Sequence, residues 1–155
     1  VLGEKVVPMG AIAYAFSEEG AGIDGKSFSL LPVEIFYRET GKTKKVTEYP
    51  CDGKLLKAAE QVKTKYHTGR GVIGSGDEWN NQLDRIALLR ERYHTAVEDM
   101  ESAAAAQLCL SYGVPFLGVR ILSNSIVNGE KFDEAVGIDG QKFMLSLIDQ
   151  MREYM

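Results

Sequence analysis

Two short polar segments hold the side chains best suited to chemistry in this sequence. The first is Asp99-Met100-Glu101 and the second is Ser123-Asn124. A carboxylate in the first turn of a helix, beside a methionine, can accept two sugar hydroxyls while the thioether packs on the ring. An asparagine at a neighbouring strand end can hydrogen-bond a nitrogen or carbonyl of a heterocycle. The alternative is purely structural: Glu101 neutralises the helix dipole, and Asn124 is only a cap.

A predicted helix separates the two segments. Asp99 is a good N-cap, the run Ala103 to Ala106 favours helix, and Gly113 is suited to the left-handed conformation that ends one. Because ligands of open α/β sheets bind beyond the carboxyl ends of the strands, both segments are expected to reach one site.

The run from Phe116 to Leu122 predicts a parallel strand that is buried on both faces. Arg120 interrupts this run, and a buried arginine needs an anionic partner. The nearest candidates by topology are Asp99 and Glu101.

A glycine-rich turn, Gly74 to Trp79, follows a short predicted strand, Gly69 to Gly74. Its glycines permit a sharp bend and a close approach of the backbone to a ligand. Trp79 is suited to stacking on a flat heterocycle, an interaction worth roughly 1–3 kcal/mol on comparable aromatic platforms. The alternative is that it fills the core, but its place at a strand end favours the ligand role.

Three motifs together carry a resemblance to a known family: V-E-D-M-E-S-A-A-A-A-Q-L-C, G-V-P-F-L-G-V-R-I-L-S-N and the upstream G-S-G-D-x-W. They resemble the nucleoside phosphorylase/nucleosidase superfamily and are most similar to its 5′-methylthioadenosine/S-adenosylhomocysteine nucleosidases. The resemblance implies a three-layer α/β fold with a mixed central sheet. It also implies hydrolysis of these purine nucleosides to adenine and the thioribose, as in methionine salvage.

The resemblance further implies a role for each candidate site residue. Glu101 would bind the ribose hydroxyls, and Met100 would pack under the sugar. Trp79 would stack on the purine, the backbone of Asn80 would read the base edge, and Ser123 and Asn124 would meet the purine N7 edge. Arg120 would orient the acidic residues Asp99 and Glu101.

Asn124 is the position at which this sequence departs from the family. The nucleosidases place an aspartic acid there to protonate N7, and an amide cannot supply that proton. Three interpretations stay open: a nucleosidase with a different or weaker acid, a phosphate-dependent purine nucleoside phosphorylase, and a non-catalytic nucleoside-binding or storage relative. Asp99 is a possible substitute acid, although its position favours capping.

The chain opens on Val1 with a segment that resembles a mid-chain strand of the family. The first strands, a glycine-rich loop and the acidic residue that activates water are not found before it. We therefore expect residues 1–155 to be the C-terminal portion of one nucleoside phosphorylase-like domain.

Composition excludes several other functions. The 155 residues carry a net charge of −4 without a basic stripe, which argues against nucleic acid as a partner. No apolar run approaches membrane-spanning length. Cys51 and Cys109 show no metal or disulfide spacing, which fits a reducing, cytoplasmic compartment. We expect no metal and no cofactor, and the resemblance implies a homodimer.

The remaining pattern predicts further elements along the chain. They are a strand over Val1–Met9, a loop or flap over Gly10–Ser29, a hairpin over Leu31–Tyr49, and helices over Lys54–Tyr66, Asn80–Tyr93 and Gly137–Tyr154.

Overall fold

The computed structural model describes residues 1–152. The strands are β1 Leu2–Pro8, β2 Ile12–Tyr14, β3 Phe28–Leu30, β4 Val33–Tyr37, β5 Lys42–Val46, β6 Tyr49–Pro50, β7 Arg70–Ser75 and β8 Thr95–Asp99. The helices are α1 Gly53–Glu60, α2 Leu83–Tyr93, α3 Ser102–Tyr112 and α4 Ala135–Arg152. The end of the predicted C-terminal helix, residues 153–154, lies outside the described residues.

The central sheet has the order β6-β1-β7-β8 and is mixed, as expected. Strands β1, β7 and β8 run parallel, whereas β6 is antiparallel to β1. The register places Val6 opposite Ile73, and Ile73 opposite Val97. Strand β8 forms one edge of this sheet, and its carboxyl end carries the Asp99-Met100-Glu101 segment.

Apolar side chains alternate between the two faces of the sheet and give the fold its layers. Val6, Ile73 and Val97 pack with Ala106 of α3 and with Ile35 of the β4–β5 hairpin. On the opposite face, residues of β1 and β7 pack with Leu89 of α2 and Phe28 of β3, and a third cluster joins α1 to α4. Helices therefore cover the sheet on both sides.

Helix α3 ends at Gly113 as the sequence predicts, but it begins at Ser102 with Glu101, not Asp99, at the N-cap position. The Asp99 carboxylate accepts hydrogen bonds from the backbone N–H groups of Glu101 and Ser102, at 3.2 and 3.0 Å. Gly113 closes the helix in the left-handed conformation with φ of 68°. The predicted hairpin is confirmed as β4–β5. Helix α1 is shorter than predicted, since it ends at Glu60 rather than Tyr66.

The predicted parallel strand over Phe116 to Leu122 is wrong. The segment is extended, but it makes a single antiparallel bridge, Leu2 with Val119. Two backbone hydrogen bonds flank that bridge, from Gly3 N–H to the Gly118 carbonyl and from Arg120 N–H to the Val1 carbonyl, at 2.8 and 2.9 Å. The segment is also less buried than predicted, since most of its side chains are half-buried and Leu122 is 54% exposed. An apolar run alone does not make a strand, because a strand also needs a continuous ladder with a neighbour.

A polar network fastens this extended segment to the end of β8. The Arg120 guanidinium donates to the Asp99 carboxylate and, at 2.7 Å, to the Ser102 hydroxyl, which itself donates to Asp99 at 2.5 Å. The Asp99 side chain is only 7% exposed. Burial by itself would raise the pKa of Asp99, but the hydrogen bonds from Ser102, Ser75 and Arg120 outweigh it and hold that pKa below its usual value.

A matched pair of isoleucine substitutions tests the position of the core. Ile73 is fully buried at the centre of the sheet, whereas Ile23 is 100% exposed. We expect Ile73→Ala to lower the free energy of unfolding by about 2–5 kcal/mol, because it leaves a cavity. Ile23→Ala should change it by less than about 0.5 kcal/mol. Urea denaturation measures both, and equal effects would contradict the assigned core.

Arg120→Ala tests the network at the end of β8. It removes charge-assisted hydrogen bonds from a buried carboxylate and should cost about 1.5–3 kcal/mol at pH 7. Arg152→Ala, which breaks an exposed ion pair with Asp149, is the matched control and should cost less than about 1 kcal/mol.

The cost of Arg120→Ala should also depend on pH. A carboxylate with a depressed pKa stabilises the fold above its unfolded-state pKa of about 3.9 and loses that contribution as the pH falls further. The difference between wild type and variant should therefore shrink below about pH 4. A difference that stays constant in urea titrations from pH 7 to pH 3 would argue against the Arg120–Asp99 pairing.

Candidate active site

A cleft of about 920 Å³ opens between β8 and the extended segment that follows Arg120. One wall is residues 94–101, and the other is residues 120–127 together with Phe132. The loop after β7 closes one side with Glu78, Trp79 and Asn80. The cleft therefore runs along the edge strand β8 and includes the carboxyl ends of the parallel strands β7 and β8, where open α/β sheets hold their ligands.

All eight site residues predicted from the sequence line this single cleft. They are Trp79, Asn80, Asp99, Met100, Glu101, Arg120, Ser123 and Asn124. The two polar segments named at the outset thus face one shared space.

The loop after β7 presents an aromatic surface to the cleft. Trp79 is 63% exposed, and its indole N–H donates to the Asn81 side chain at 3.0 Å. Asn80 is half-buried and shapes the same loop, since its side-chain oxygen accepts from the Gln82 N–H at 3.1 Å. An exposed ring held at its polar edge offers one face to a flat heterocycle.

Asn80 also contacts a carboxylate that sequence reasoning passed over. Its side-chain N–H group donates to the two oxygens of Glu98, at 3.0 and 3.4 Å. Burial raises the pKa of Glu98, and the nearby Glu78 adds to that effect, while the Asn80 hydrogen bond and the Arg85 charge oppose it. The sequence motifs gave Glu98 no role in the site. Its position one residue inside the strand end was the available signal.

Arg85 of α2 joins the aromatic loop to β3. Its guanidinium donates to Glu78 at 3.1 Å, immediately before Trp79 in the chain. The same guanidinium lies over the Phe28 ring, with the central carbon 5.1 Å from the ring centroid. The Arg85 side chain therefore links the loop after β7 to strand β3.

The opposite part of the cleft is built by the residues that follow β8. Met100 and Glu101 are both exposed, and a Glu101 side-chain oxygen accepts from the Met100 N–H at 3.3 Å. Both oxygens of the neighbouring Asp99 are occupied by Arg120, Ser102 and the start of α3. Of these two carboxylates, Glu101 is the one that is exposed to the cleft.

Ser123 and Asn124 form the tip of the other wall. The Ser123 hydroxyl donates to the Asn124 side-chain oxygen at 3.3 Å, and the Ser123 carbonyl accepts from the Asp133 N–H at 2.9 Å. Within residues 1–152, no partner is found for the Asn124 NH₂ group, which is half-buried at the cleft. The tip therefore presents a hydrogen-bond donor to a ligand.

The arrangement as a whole suits a ligand with hydroxyl groups at one end and a flat ring at the other. Within residues 1–152, no group of His, Cys, Asp or Glu side chains is placed to hold a metal ion. Among the described helices, none combines the length and the apolar character needed to cross a membrane.

Solved structures share this fold. Futalosine hydrolase of Helicobacter pylori matches 96% of this chain and 58% of its own, with a TM-score of 0.64 and 21% identity. The 5′-methylthioadenosine/S-adenosylhomocysteine nucleosidase of S. pneumoniae, solved with a transition-state inhibitor, matches 97% of this chain and 60% of its own, with a TM-score of 0.61 and 18% identity. At these identities the likeness concerns the fold alone.

Sequence comparison gives nearer relatives. The 5′-methylthioadenosine/S-adenosylhomocysteine nucleosidase of Bacillus pumilus is 35% identical over 129 residues, which cover 76% of this chain and 55% of the relative. The enzyme of the same name from Aeromonas salmonicida is 32% identical over 76% of this chain and 54% of its own. The chain thus spans about half the length of these relatives. The profile of the phosphorylase superfamily matches residues 2–151, and the chain therefore belongs to that superfamily.

Proposed function

We propose that the protein hydrolyses the N-glycosidic bond of 5′-methylthioadenosine and S-adenosylhomocysteine, releasing adenine and the thioribose. The observation that carries the proposal is the single cleft that all eight predicted site residues line. The curated relatives named as nucleosidases support hydrolysis over phosphorolysis or binding without turnover.

The sugar would occupy the part of the cleft beside Met100 and Glu101. The exposed Glu101 carboxylate would accept hydrogen bonds from the ribose hydroxyls, and the Met100 thioether would pack under the ring. As the bond to the base breaks, the ribose gains oxocarbenium character, so an anion at its hydroxyls stabilises the transition state more than the ground state.

The base would lie against the loop after β7. Trp79 would stack on the purine, and the backbone at Asn80 would read its edge. The free NH₂ group of Asn124, with Ser123 beside it, would donate to the purine N7 edge. Arg120 and Asp99 would not contact the substrate directly. Their ion pair would hold the two walls of the cleft at a fixed distance.

We further propose a homodimer that acts in methionine salvage in the cytoplasm. The β2–β3 flap carries exposed apolar side chains suited to a covered surface, among them Tyr14 and Phe16. Both cysteines are free thiols, which suits a reducing compartment.

In the decisive assay, the purified full-length protein is incubated with 5′-methylthioadenosine, S-adenosylhomocysteine and inosine. Each is tested with and without inorganic phosphate, and the products are separated by chromatography. We expect free adenine without phosphate. Phosphate-dependent release with a sugar 1-phosphate product would instead identify a phosphorylase, and tight binding without any product would identify a binding protein.

Glu101→Gln tests the sugar role. Loss of charge-assisted hydrogen bonds to the ribose should lower kcat/KM for methylthioadenosine by about 100-fold, since each charged hydrogen bond is worth about 1.5–3 kcal/mol. Glu91→Gln, an exposed substitution on α2, is the matched control and should leave kcat/KM unchanged. Similar activities for the two variants would refute the ribose role.

Asn124→Asp tests whether this side chain faces the purine. A carboxylic acid at the same place adds a proton donor that the amide lacks, so kcat/KM for adenine nucleosides should rise at least roughly tenfold. Steady-state kinetics at pH 6 and pH 7 measure the change. A lower value would place Asn124 away from N7, and an unchanged value would show that another group already protonates the base.

A further inference from the structure

We propose that Glu98 is the acid that protonates the leaving purine, a task that the Asn124 amide cannot perform. The inference rests on the proposed function, because it names the proton donor for the same reaction. It concerns a residue that the sequence motifs did not single out for the site.

The reaction needs a donor because a purine is a poor leaving group until a ring nitrogen is protonated. A positioned general acid typically contributes about 10²–10⁴ in rate. Asn124 can hydrogen-bond the base, but its amide does not release a proton at accessible pH. A carboxyl group that lies beside the base can supply the proton in its place.

The other carboxylates of the cleft are committed elsewhere. Asp99 is fully hydrogen-bonded, and those hydrogen bonds hold its pKa below the usual value, so it stays ionised. Glu78 is ion-paired with Arg85. Glu101 is exposed on the side of the cleft assigned to the sugar.

The remaining ionisable groups of the cleft are no better placed. Its arginines, Arg90 and Arg120, do not give up a proton in proteins. His94 lies at the opposite end of β8, four residues and therefore about 13 Å along the strand from Glu98. These groups leave Glu98 as the candidate beside the base.

Glu98 has the surroundings that a general acid needs. It is half-buried in the wall of the cleft, and Asn80, next to Trp79, donates to its oxygens at 3.0 and 3.4 Å. Burial raises the pKa of Glu98, which increases the protonated fraction near neutral pH.

The charged groups that face Glu98 come from two elements. Glu78 of the loop favours its protonated form, and Arg85 of α2 opposes it. The wall across the cleft, from Ile121 to Val127, contributes no charged side chain.

The step balances in atoms and charge. The Glu98 O–H proton moves to a purine ring nitrogen as the C1′–N9 bond breaks, and the bonding pair stays with the base. Water adds its oxygen to C1′ and releases a proton to solvent. A proton from solvent then restores the Glu98 carboxyl, so that nucleoside and water give free purine and free sugar.

Two substrates with different leaving groups test the role. Glu98→Gln should lower kcat/KM for methylthioadenosine at least about 100-fold. The same variant should lose less than about threefold on the 4-nitrophenyl glycoside of 5-methylthioribose, because nitrophenolate leaves without a proton. Glu91→Gln, the exposed control on α2, should keep both activities.

The pH profile gives a second, independent readout. An acid must be protonated to act, so wild-type kcat/KM for methylthioadenosine should fall as the pH rises through the Glu98 pKa. Glu98→Gln should lose that fall. If Glu98→Gln does not fold, Glu98→Ala replaces it, and the same selective loss on methylthioadenosine is expected because alanine has no proton to donate.

Three outcomes would overturn the proposal. Equal losses on the two substrates would show that Glu98 only positions Asn80, and full activity of the variant on methylthioadenosine would show that the proton comes from elsewhere. In both cases the proposed function would stand. A wild-type protein that cleaves neither substrate would overturn the proposed function and, with it, this role.

Discussion

The pairing of Arg120 with Asp99 is the constraint on which the rest of the site depends. It satisfies a buried carboxylate at the end of β8 and draws the segment after α3 back to that strand end. Met100 and Glu101 follow Asp99 directly, and Ser123 and Asn124 lie a few residues beyond Arg120. One ion pair between two non-adjacent parts of the chain therefore sets the separation of the two walls. Loss of one partner would leave an uncompensated charge in a half-buried place, which is costly.

The elements that the sequence predicted well are those whose causes are local. Helix α3 has the Asp99 carboxylate just before its start, which accepts from the Glu101 and Ser102 N–H groups, a run of alanines and a terminal glycine, and each acts within one turn. The β4–β5 hairpin has alternation and a glycine at its turn, where Gly41 adopts a positive φ. The segment over Phe116 to Leu122 shows the opposite case. Its apolar character was visible, but strand formation depends on which neighbours offer a ladder, and that is a property of the whole fold.

The site divides along the same line. Asp99, Met100 and Glu101 were predictable because they stand at the carboxyl end of a parallel strand, where ligands of open α/β sheets bind. Ser123 and Asn124 reach the same cleft for a different reason, since their segment is no parallel strand and is held there by the Arg120–Asp99 pair. The environment of Glu98 was not predictable, since its burial, the hydrogen bond from Asn80 and the balance between Glu78 and Arg85 all arise from tertiary contacts. The residue type gives the ordinary pKa of a side chain, whereas the change in that pKa on folding depends on the surroundings of the side chain in the structure.

The double contact of Arg85 has a spectroscopic consequence. Its guanidinium touches Phe28 in the flap strand and Glu78 beside Trp79, so displacement of the flap changes the surroundings of the indole. Trp79 is the only tryptophan of the chain. Its emission therefore arises from a single fluorophore that lies in the cleft and is mechanically linked to the flap. A ligand that enters the cleft, or a displacement of β3, is therefore expected to change the emission of this one ring.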